Sequence, residues 1–280
     1  MTAFGARLRA ATDARGPLCV GVDPHPALLA QWGLTDDPAG LERFAMTVVE
    51  TLADTVAVLK PQSAFFERHG SAGIAVLERV VAAARWAGAL VVLDVKRGDI
   101  GSTIQAYADA YLGPSAPLSC DAVTASPYLG FGSLDPMIDT ALAHDAGVFV
   151  LALTSNVEGP EVQHARVARG TAGAAGTVAG RVLEQVAARN AGRQPQGSVG
   201  AVVGATIGTT GECLAVNGPL LVPGVGAQGG TAADVRRIFA DCRANVLPST
   251  SRAVLSAGPT PGALRAAARR TGEEFATLLR

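Results

Sequence analysis

Residues 90–99 read Leu-Val-Val-Leu-Asp-Val-Lys-Arg-Gly-Asp, an apolar run that passes directly into charged residues. The run is continuous rather than alternating, which indicates a strand that is buried on both faces. Such strands are typical of parallel sheets covered by helices. The stretch therefore predicts an α/β protein with charged side chains at the carboxyl end of a buried strand.

Seven other short apolar runs alternate with helix-like segments along the chain. The strand candidates are 18–22, 56–60, 90–95, 122–124, 148–153, 199–203, 219–222 and 245–247. The helix-like segments are 41–55, 72–87, 101–112, 134–145, 175–190, 210–216, 231–241 and 261–279. Eight β–α units in 280 residues fit a (β/α)8 barrel better than a doubly wound sheet. The sequence thus predicts a single-domain α/β TIM barrel over residues 1–280.

The connection after the fifth strand candidate is longer than the others. Residues 156–198 are rich in Gly, Ala and Arg and poor in large apolar side chains. Because so short a segment cannot build its own core, we interpret it as an insertion that carries a helix, not as a separate domain.

Composition excludes several classes of function. The chain has a net charge of −1 and a pI near 6.4, so it lacks the basic surface expected of a nucleic-acid-binding protein. No apolar run approaches the roughly 20 residues of a membrane span. The first residues lack a signal-peptide hydrophobic region, which predicts a cytoplasmic protein. The four cysteines and four histidines match no metal-ligand spacing, so we expect no metal site.

Lysine is rare in this chain, which contains two lysines and 21 arginines. Both lysines, Lys60 and Lys96, stand at the ends of strand candidates. An ammonium can give up a proton at an accessible pKa, whereas a guanidinium cannot. The two lysines therefore indicate proton chemistry at the barrel mouth, where (β/α)8 enzymes place their active sites.

Carboxylates surround the second lysine. Alternate residues of a strand share a face, so Asp94 and Lys96 should point the same way, about 7 Å apart along the backbone. Asp99 lies in the following loop, which could bend back to the site, and Asp23 and Lys60 should converge from neighbouring strands. A structural ion pair at the barrel mouth is the alternative interpretation.

This charge array favours one kind of reaction. A protonated lysine is a poor Schiff-base nucleophile but a good proton donor to a developing carbanion. A fixed carboxylate beside it would repel a substrate carboxylate by roughly 4 kcal/mol at 4 Å and an effective dielectric constant of 20. That repulsion disappears as CO2 leaves, so the array favours decarboxylation followed by protonation.

A glycine-rich segment after the seventh strand indicates a phosphate site. Residues 223–230 read Pro-Gly-Val-Gly-Ala-Gln-Gly-Gly and lead into a helix. Glycines let backbone N–H groups approach an anion, and the loops after strands seven and eight are the usual phosphate site of such barrels. Arg252 follows the eighth strand and can add a bidentate cation. A plain glycine-rich turn is the alternative.

Together these motifs resemble the orotidine 5′-phosphate decarboxylase family, in its longer bacterial subgroup. The resemblance covers about residues 17–255 and rests on the pattern Asp94-x-Lys96-x-x-Asp99-Ile100-x-x-Thr103, the turn at Asp23 and the glycine loop. It implies that orotidine 5′-phosphate is converted to UMP and CO2 in pyrimidine biosynthesis, without a metal or an organic cofactor.

The resemblance also implies roles at the reacting carbon. Lys96 would donate a proton to C6 of the pyrimidine, and Asp94 would lie against the substrate carboxylate. Lys60 would bridge Asp94 and the ribose, while Asp23 would bind a ribose hydroxyl.

Further residues would bind the rest of the nucleotide. Asp99, Ile100 and Thr103 would reach into the neighbouring subunit's site, which implies a homodimer with shared active sites. The other implied substrate contacts are Ser155 at the pyrimidine and, around the 5′-phosphate, Gln228, Gly229 and Arg252.

Two alternatives stay open on the sequence alone. One is a metal-dependent decarboxylase or aldol enzyme acting on phosphorylated sugars, for which Glu67 is the nearest carboxylate without another role. The other is a catalytically silent barrel that senses nucleotide phosphates. The intact set of Asp94, Lys96 and Asp99 argues against a sensor, because binding alone needs no proton donor.

Overall fold

Eight parallel strands close into a barrel in the computed structural model, which describes residues 2–167, 176–225, 230 and 232–279. Each strand pairs with the next along the chain, and the first pairs with the last. The strands are β1 (Cys19–Val22), β2 (Val58–Pro61), β3 (Leu90–Arg97), β4 (Ala122–Ala125), β5 (Gly147–Leu153), β6 (Val199–Val203), β7 (Leu220–Pro223) and β8 (Val246–Thr250). The predicted TIM barrel is therefore confirmed.

Helices connect the strands and cover the outside of the barrel. They are α1 (Phe4–Arg15), α2 (Pro26–Gln31), α3 (Pro38–Leu52), α4 (Ala64–Glu67), α5 (Gly70–Trp86), α6 (Gly101–Leu112), α7 (Asp135–Ala143), α8 (Gly159–Gln163), α9 (Val178–Arg189), α10 (Ala232–Ile238), α11 (Arg252–Leu255) and α12 (Pro261–Leu279). None of the helices in the described ranges has the length and apolarity needed to cross a membrane.

One predicted helix is wrong, because residues 210–216 form an irregular segment. The Thr210 hydroxyl accepts a hydrogen bond from the backbone N–H of Glu212 at 3.1 Å, a local bond that competes with helix formation. The Glu212 carboxylate in turn accepts a hydrogen bond from Thr177 at 2.7 Å, beside the start of α9. This segment therefore packs against the enlarged connection instead of forming a helix.

The amino-terminal helix α1 closes the end of the barrel opposite the mouth. Phe4 is fully buried and meets Phe149 of β5 edge to face, with ring centroids 6.0 Å apart. Arg7 pairs with the buried Asp121 at 2.6 Å. With this end filled by side chains, the open end lies at the carboxyl ends of the strands.

The described part of the connection between β5 and β6 contains two helices, α8 and α9. Thr177 caps α9 by accepting a hydrogen bond from the N–H of Gly180 at 2.9 Å. At the far end, the buried amide of Asn190 hydrogen-bonds the backbone of Val199 and Val216. The described part of this connection is thus anchored to the barrel wall.

Candidate active site

Strand β3 contains a bulge where its charged residues begin. Leu93 pairs with Val123 and Arg97 with Ala125, so four steps along β3 face two steps along β4. Lys96 takes up the extra length with a left-handed backbone conformation (φ +46°). A non-glycine residue in this region costs of the order of 1–3 kcal/mol and occurs mainly at functional sites.

Asp94 lies at the centre of the charged cluster and is buried. Its Oδ2 accepts a hydrogen bond from Lys60 Nζ at 2.8 Å, and its Oδ1 accepts one from Lys96 Nζ at 2.6 Å. Thr124 of β4 donates a third bond to Oδ1 at 2.8 Å. The same Thr124 hydroxyl accepts from the backbone N–H of Lys96 at 2.9 Å. The predicted convergence of Lys60, Asp94 and Lys96 is therefore present, with Thr124 filling the bulge.

The electrostatics keep this cluster ionised. Burial opposes the charge of Asp94, but the ammonium groups of Lys60 and Lys96 hold its pKa well below the usual range. Burial likewise opposes the charge of Lys60, yet the negative charges of Asp94 and Asp23 outweigh it and raise its pKa. A fixed carboxylate between two cations is thus available at neutral pH.

Asp23 follows β1 and faces the same cluster. Its Oδ1 is buried and has no hydrogen-bond partner among the described residues. Gly21 makes room for this side chain, because a Cβ there would lie 2.9 Å from Asp23 Oδ2 and 2.8 Å from the Cβ of Ser251. A buried acceptor without a partner is suited to a ligand hydroxyl.

A cavity of about 300 Å³ occupies the barrel mouth and is lined by residues from all eight strands. Asp23, Lys60, Asp94 and Lys96 line the side formed by β1–β3. Apolar side chains of β5, β6 and β7 line the opposite side: Leu151, Val202 and Leu221. The cavity therefore presents charges to one side of a ligand and an apolar wall to the other.

The loops after β7 and β8 form a further part of the cavity. Gly224 (φ +93°) and Arg252 both line it, together with the hydroxyl-bearing residues 249–251. This arrangement agrees with a phosphate subsite near Arg252. Gln228 and Gly229 lie outside the described residues, so their predicted role stays a prediction.

Asp99, Ile100 and Thr103 do not line the cavity of their own chain. Asp99 accepts a hydrogen bond from the N–H of Ile100 at 2.8 Å, and within the described ranges it forms no ion pair with Lys96. Ile100 is 62% exposed, and Thr103 is also exposed at the start of α6. The possible return of Asp99 to its own site is thus not observed, and these side chains face outward at the rim.

Ser155 also lies apart from the cavity. It is exposed just after β5 and packs against Gly204, where a Cβ would lie 2.1 Å from Ser155 Oγ. It lies at the rim of the mouth, between the ends of β5 and β6.

Sequence reasoning missed several residues of the cavity, among them Thr124, Gln62 and His25. Gln62 accepts from Lys96 Nζ at 3.4 Å and donates to the carbonyl of Asp94 at 3.1 Å. His25 packs on Phe65 with ring centroids 4.2 Å apart. Only their positions near the carboxyl ends of strands could have indicated them, because none belongs to a charged motif.

Comparison with known proteins identifies the family to which this chain belongs. The sequence profile of the orotidine 5′-phosphate decarboxylase / HUMPS family matches residues 16–267. The chain belongs to this family. The resemblance inferred from the motifs is confirmed, and the chain is a carboxy-lyase.

Individual relatives of the family match almost the whole chain. Orotidine 5′-phosphate decarboxylase of Nocardioides sp. strain JS614 is 65% identical over 275 residues, which are 98% of this chain and 99% of the relative. The enzyme of that name from Salinispora arenicola is 65% identical over 271 residues, 96% of each chain.

Solved structures give the same result. A crystal structure from Streptomyces avermitilis, provisionally assigned as an orotidine 5′-phosphate decarboxylase, superposes with a TM-score of 0.96 at 58% identity and covers 100% of this chain and 96% of that one. The Leishmania donovani OMP decarboxylase structure has a TM-score of 0.75 at 29% identity and covers 99% of both chains.

Proposed function

We propose that this chain converts orotidine 5′-phosphate to UMP and CO2 in pyrimidine biosynthesis. The observation that carries the proposal is the buried Asp94 carboxylate, hydrogen-bonded by Lys60 on one oxygen and Lys96 on the other, beside a cavity of about 300 Å³ at the barrel mouth. Family membership and relatives of this name support the same reaction.

The geometry supports a mechanism in which Asp94 acts electrostatically. The carboxyl group on C6 of the substrate would lie near Asp94, so two negative charges would face each other in the bound ground state. As the bond between C6 and the carboxyl carbon breaks, the electron pair stays on C6 and the departing group becomes neutral CO2. The repulsion is then relieved in the transition state, which lowers the barrier.

Lys96 would complete the reaction. Its ammonium, already hydrogen-bonded to Asp94, stabilises the developing carbanion and transfers a proton to C6. The resulting amine regains a proton from solvent, to which the Lys96 side chain is 45% exposed. Lys60 is buried and ionised, so its role is to hold Asp94 and to reach the ribose.

The remaining parts of the nucleotide fit other parts of the cavity. The unpartnered Oδ1 of Asp23 would accept a ribose hydroxyl, and Arg252 with the loop after β7 would bind the 5′-phosphate. Binding energy from this nonreacting phosphate can orient the pyrimidine against Asp94 and Lys96. Ser155 would contact the pyrimidine from the rim.

The rim residues support a homodimer in the proposed function. Asp99, Ile100 and Thr103 face away from their own cavity, so they would serve a neighbouring copy. We further propose that residues 1–280 act as one cytoplasmic catalytic domain, with 156–198 as an insertion.

The metal-dependent alternative is disfavoured by the position of Glu67. Its carboxylate already accepts hydrogen bonds from Arg97 at 2.5 Å and Ser63 at 2.6 Å. Among the described residues, no group of three or more potential ligands is placed to hold a metal ion.

An absorbance assay tests the proposal. Purified protein, treated exhaustively with EDTA, should deplete orotidine 5′-phosphate and produce UMP in metal-free buffer. Activity that disappears with EDTA and returns with a divalent cation would favour the metal-dependent alternative. Tight binding of UMP without any CO2 release would favour the sensor.

A further inference from the structure

Arg97, the residue after Lys96, is fixed by two neighbouring elements. Its Nη2 donates to Glu67 Oε1 at 2.5 Å, at the end of α4. Its guanidinium also lies over the ring of Tyr107, 5.5 Å from the centroid, and interacts electrostatically with Tyr111. Both tyrosines belong to α6, so this side chain ties the end of β3 to α4 and α6.

Glu67 is itself held in place and is connected to the other side of Lys96. Ser63 Oγ donates to Glu67 Oε1 at 2.6 Å. The backbone N–H of the same Ser63 donates to the carbonyl of Asp94 at 3.2 Å. The segment from Ser63 to Glu67 therefore contacts β3 at Asp94 and at Arg97, on either side of Lys96.

Lys96 lies between these two fixed points in its left-handed conformation. On the far side, the carbonyl of Arg97 accepts a hydrogen bond from the N–H of Ser126 at 2.8 Å. An unfavourable backbone conformation persists only where its surroundings hold it. The contacts of Arg97 are thus placed to set the direction of the Lys96 side chain.

Stability is a poor explanation for the Glu67–Arg97 pair. The two side chains are 35% and 29% exposed, and ion pairs this accessible to solvent contribute little to folding. The pair can instead contribute to the geometry of the site, because a displacement of about 1 Å at a reacting group can cost about a hundredfold in rate.

We infer that Glu67 and Arg97 are positioning residues, which fix the left-handed turn at Lys96 and so aim its ammonium at the reacting carbon. The inference rests on the proposed function. Neither residue lines the cavity, so both act through Lys96 rather than on the substrate.

The test compares Glu67→Gln with Glu42→Gln. Glu42 accepts a hydrogen bond from Arg79 at 2.7 Å, another partly exposed pair, which joins α3 to α5 away from the mouth. Glu67→Gln should lower kcat for orotidine 5′-phosphate by between about tenfold and a hundredfold, with KM within about twofold of wild type. Glu42→Gln should match wild type in both constants.

Three results would overturn the inference: an unchanged kcat in Glu67→Gln, an equal loss of kcat in Glu42→Gln, or a rise in KM alone.

The double variant Glu67→Gln/Arg97→Met should be no slower than the slower single variant, because both changes break one link. Losses that multiply would show that the two residues act separately. A wild-type protein without decarboxylase activity would instead remove the proposed function, and the inference with it.

Discussion

At the scale of single residues, Thr124 shows how much of the site depends on a neutral side chain. This residue is 1% exposed, and its hydroxyl donates to Asp94 and accepts from the backbone of Lys96. It therefore links the central carboxylate to the backbone of Lys96, the proposed proton donor. A hydroxyl between two such groups can be replaced only by another hydroxyl.

Thr124→Val should lower kcat by about tenfold and destabilise the protein by about 1–3 kcal/mol. The reason is that Asp94 loses a donor and the partly buried N–H of Lys96 loses its acceptor. Steady-state kinetics and urea unfolding measure the two effects. Thr124→Ser keeps the hydroxyl and should recover most of both. A valine variant with wild-type kcat would show that the link is dispensable.

The pair of Lys60 and Asp94 makes a prediction about pH. The pKa of Asp94 is depressed, so its contribution to stability is complete above the unfolded value, about 3.9, and is lost as pH falls through the folded pKa. The pKa of Lys60 is raised, so its contribution is complete below about 10.4 and is lost as pH rises through the folded pKa.

The free energy of unfolding of wild type minus that of Lys60→Met/Asp94→Asn should therefore stay constant between about pH 5 and pH 9, whatever its size. As pH falls below about 4, this difference should decrease, because wild type loses the stabilisation that the ionised Asp94 provides. Urea unfolding at a series of pH values measures this difference. A difference that stays constant below pH 4 would mean that the pKa of Asp94 is not depressed in the folded protein.

The charged residues could be predicted from the sequence, whereas their neutral partners could not. Lys60, Asp94 and Lys96 stand out because their types are rare or charged at strand ends. Thr124 looks like an ordinary strand residue, and Gln62 and His25 like ordinary loop residues. Thr124 and Gln62 are important because they hydrogen-bond Asp94 and Lys96 at the bulge, which no residue type in 90–99 indicates.

At the scale of elements, the contact of residues 97–98 with Ser126, which we call the joint between β3 and β4, controls the site. Gly98 lies against the carbonyl of Ser126 so closely that a Cβ would be 2.3 Å from that oxygen. Since Ser126 also hydrogen-bonds Arg97, the two strands are joined immediately after Lys96.

Gly98→Ala should destabilise the protein by about 1–3 kcal/mol and lower kcat, because the backbone next to Lys96 must move. Thermal unfolding and steady-state kinetics provide the two measurements. Gly132→Ala is the matched control, since its Cβ would meet only Asp135 Oδ2, at 3.8 Å. Equal behaviour of the two alanine variants would argue against a special role for the joint.

Strands were easier to predict than connections. The eight apolar runs correspond to the eight strands because burial on both faces leaves a continuous signal. The helix predicted at 210–216 does not form, since Thr210 and Glu212 bond locally and to α9 instead. Helix α1 was missed because its residues are mostly polar or small and its role, closing the barrel, is a tertiary one.

At the scale of the whole molecule, the barrel brings together charges that are far apart in the chain. Asp23, Lys60 and Asp94 come from β1, β2 and β3 and meet only because parallel strands end at one face. This convergence follows from the predicted fold. The outward direction of Asp99 could not be derived from spacing, because it depends on how the chain turns at Gly98.

Shared active sites can be tested by complementation. Asp99→Ala and Lys96→Ala should each be inactive alone, yet their co-expression should restore roughly a quarter of wild-type activity. The mixed dimer would contain one site with both residues intact. Activity of the separated mixed dimer measures this directly. No recovery in that dimer would mean that Asp99 serves its own chain.

The most direct measurement is turnover of orotidine 5′-phosphate by wild type and by Lys96→Ala at neutral pH, with circular dichroism to confirm that both are folded. If the ammonium held by Asp94 protonates C6, the variant should lose at least about a thousandfold in kcat while keeping the fold. A folded Lys96→Ala protein with turnover within about tenfold of wild type would contradict this assignment.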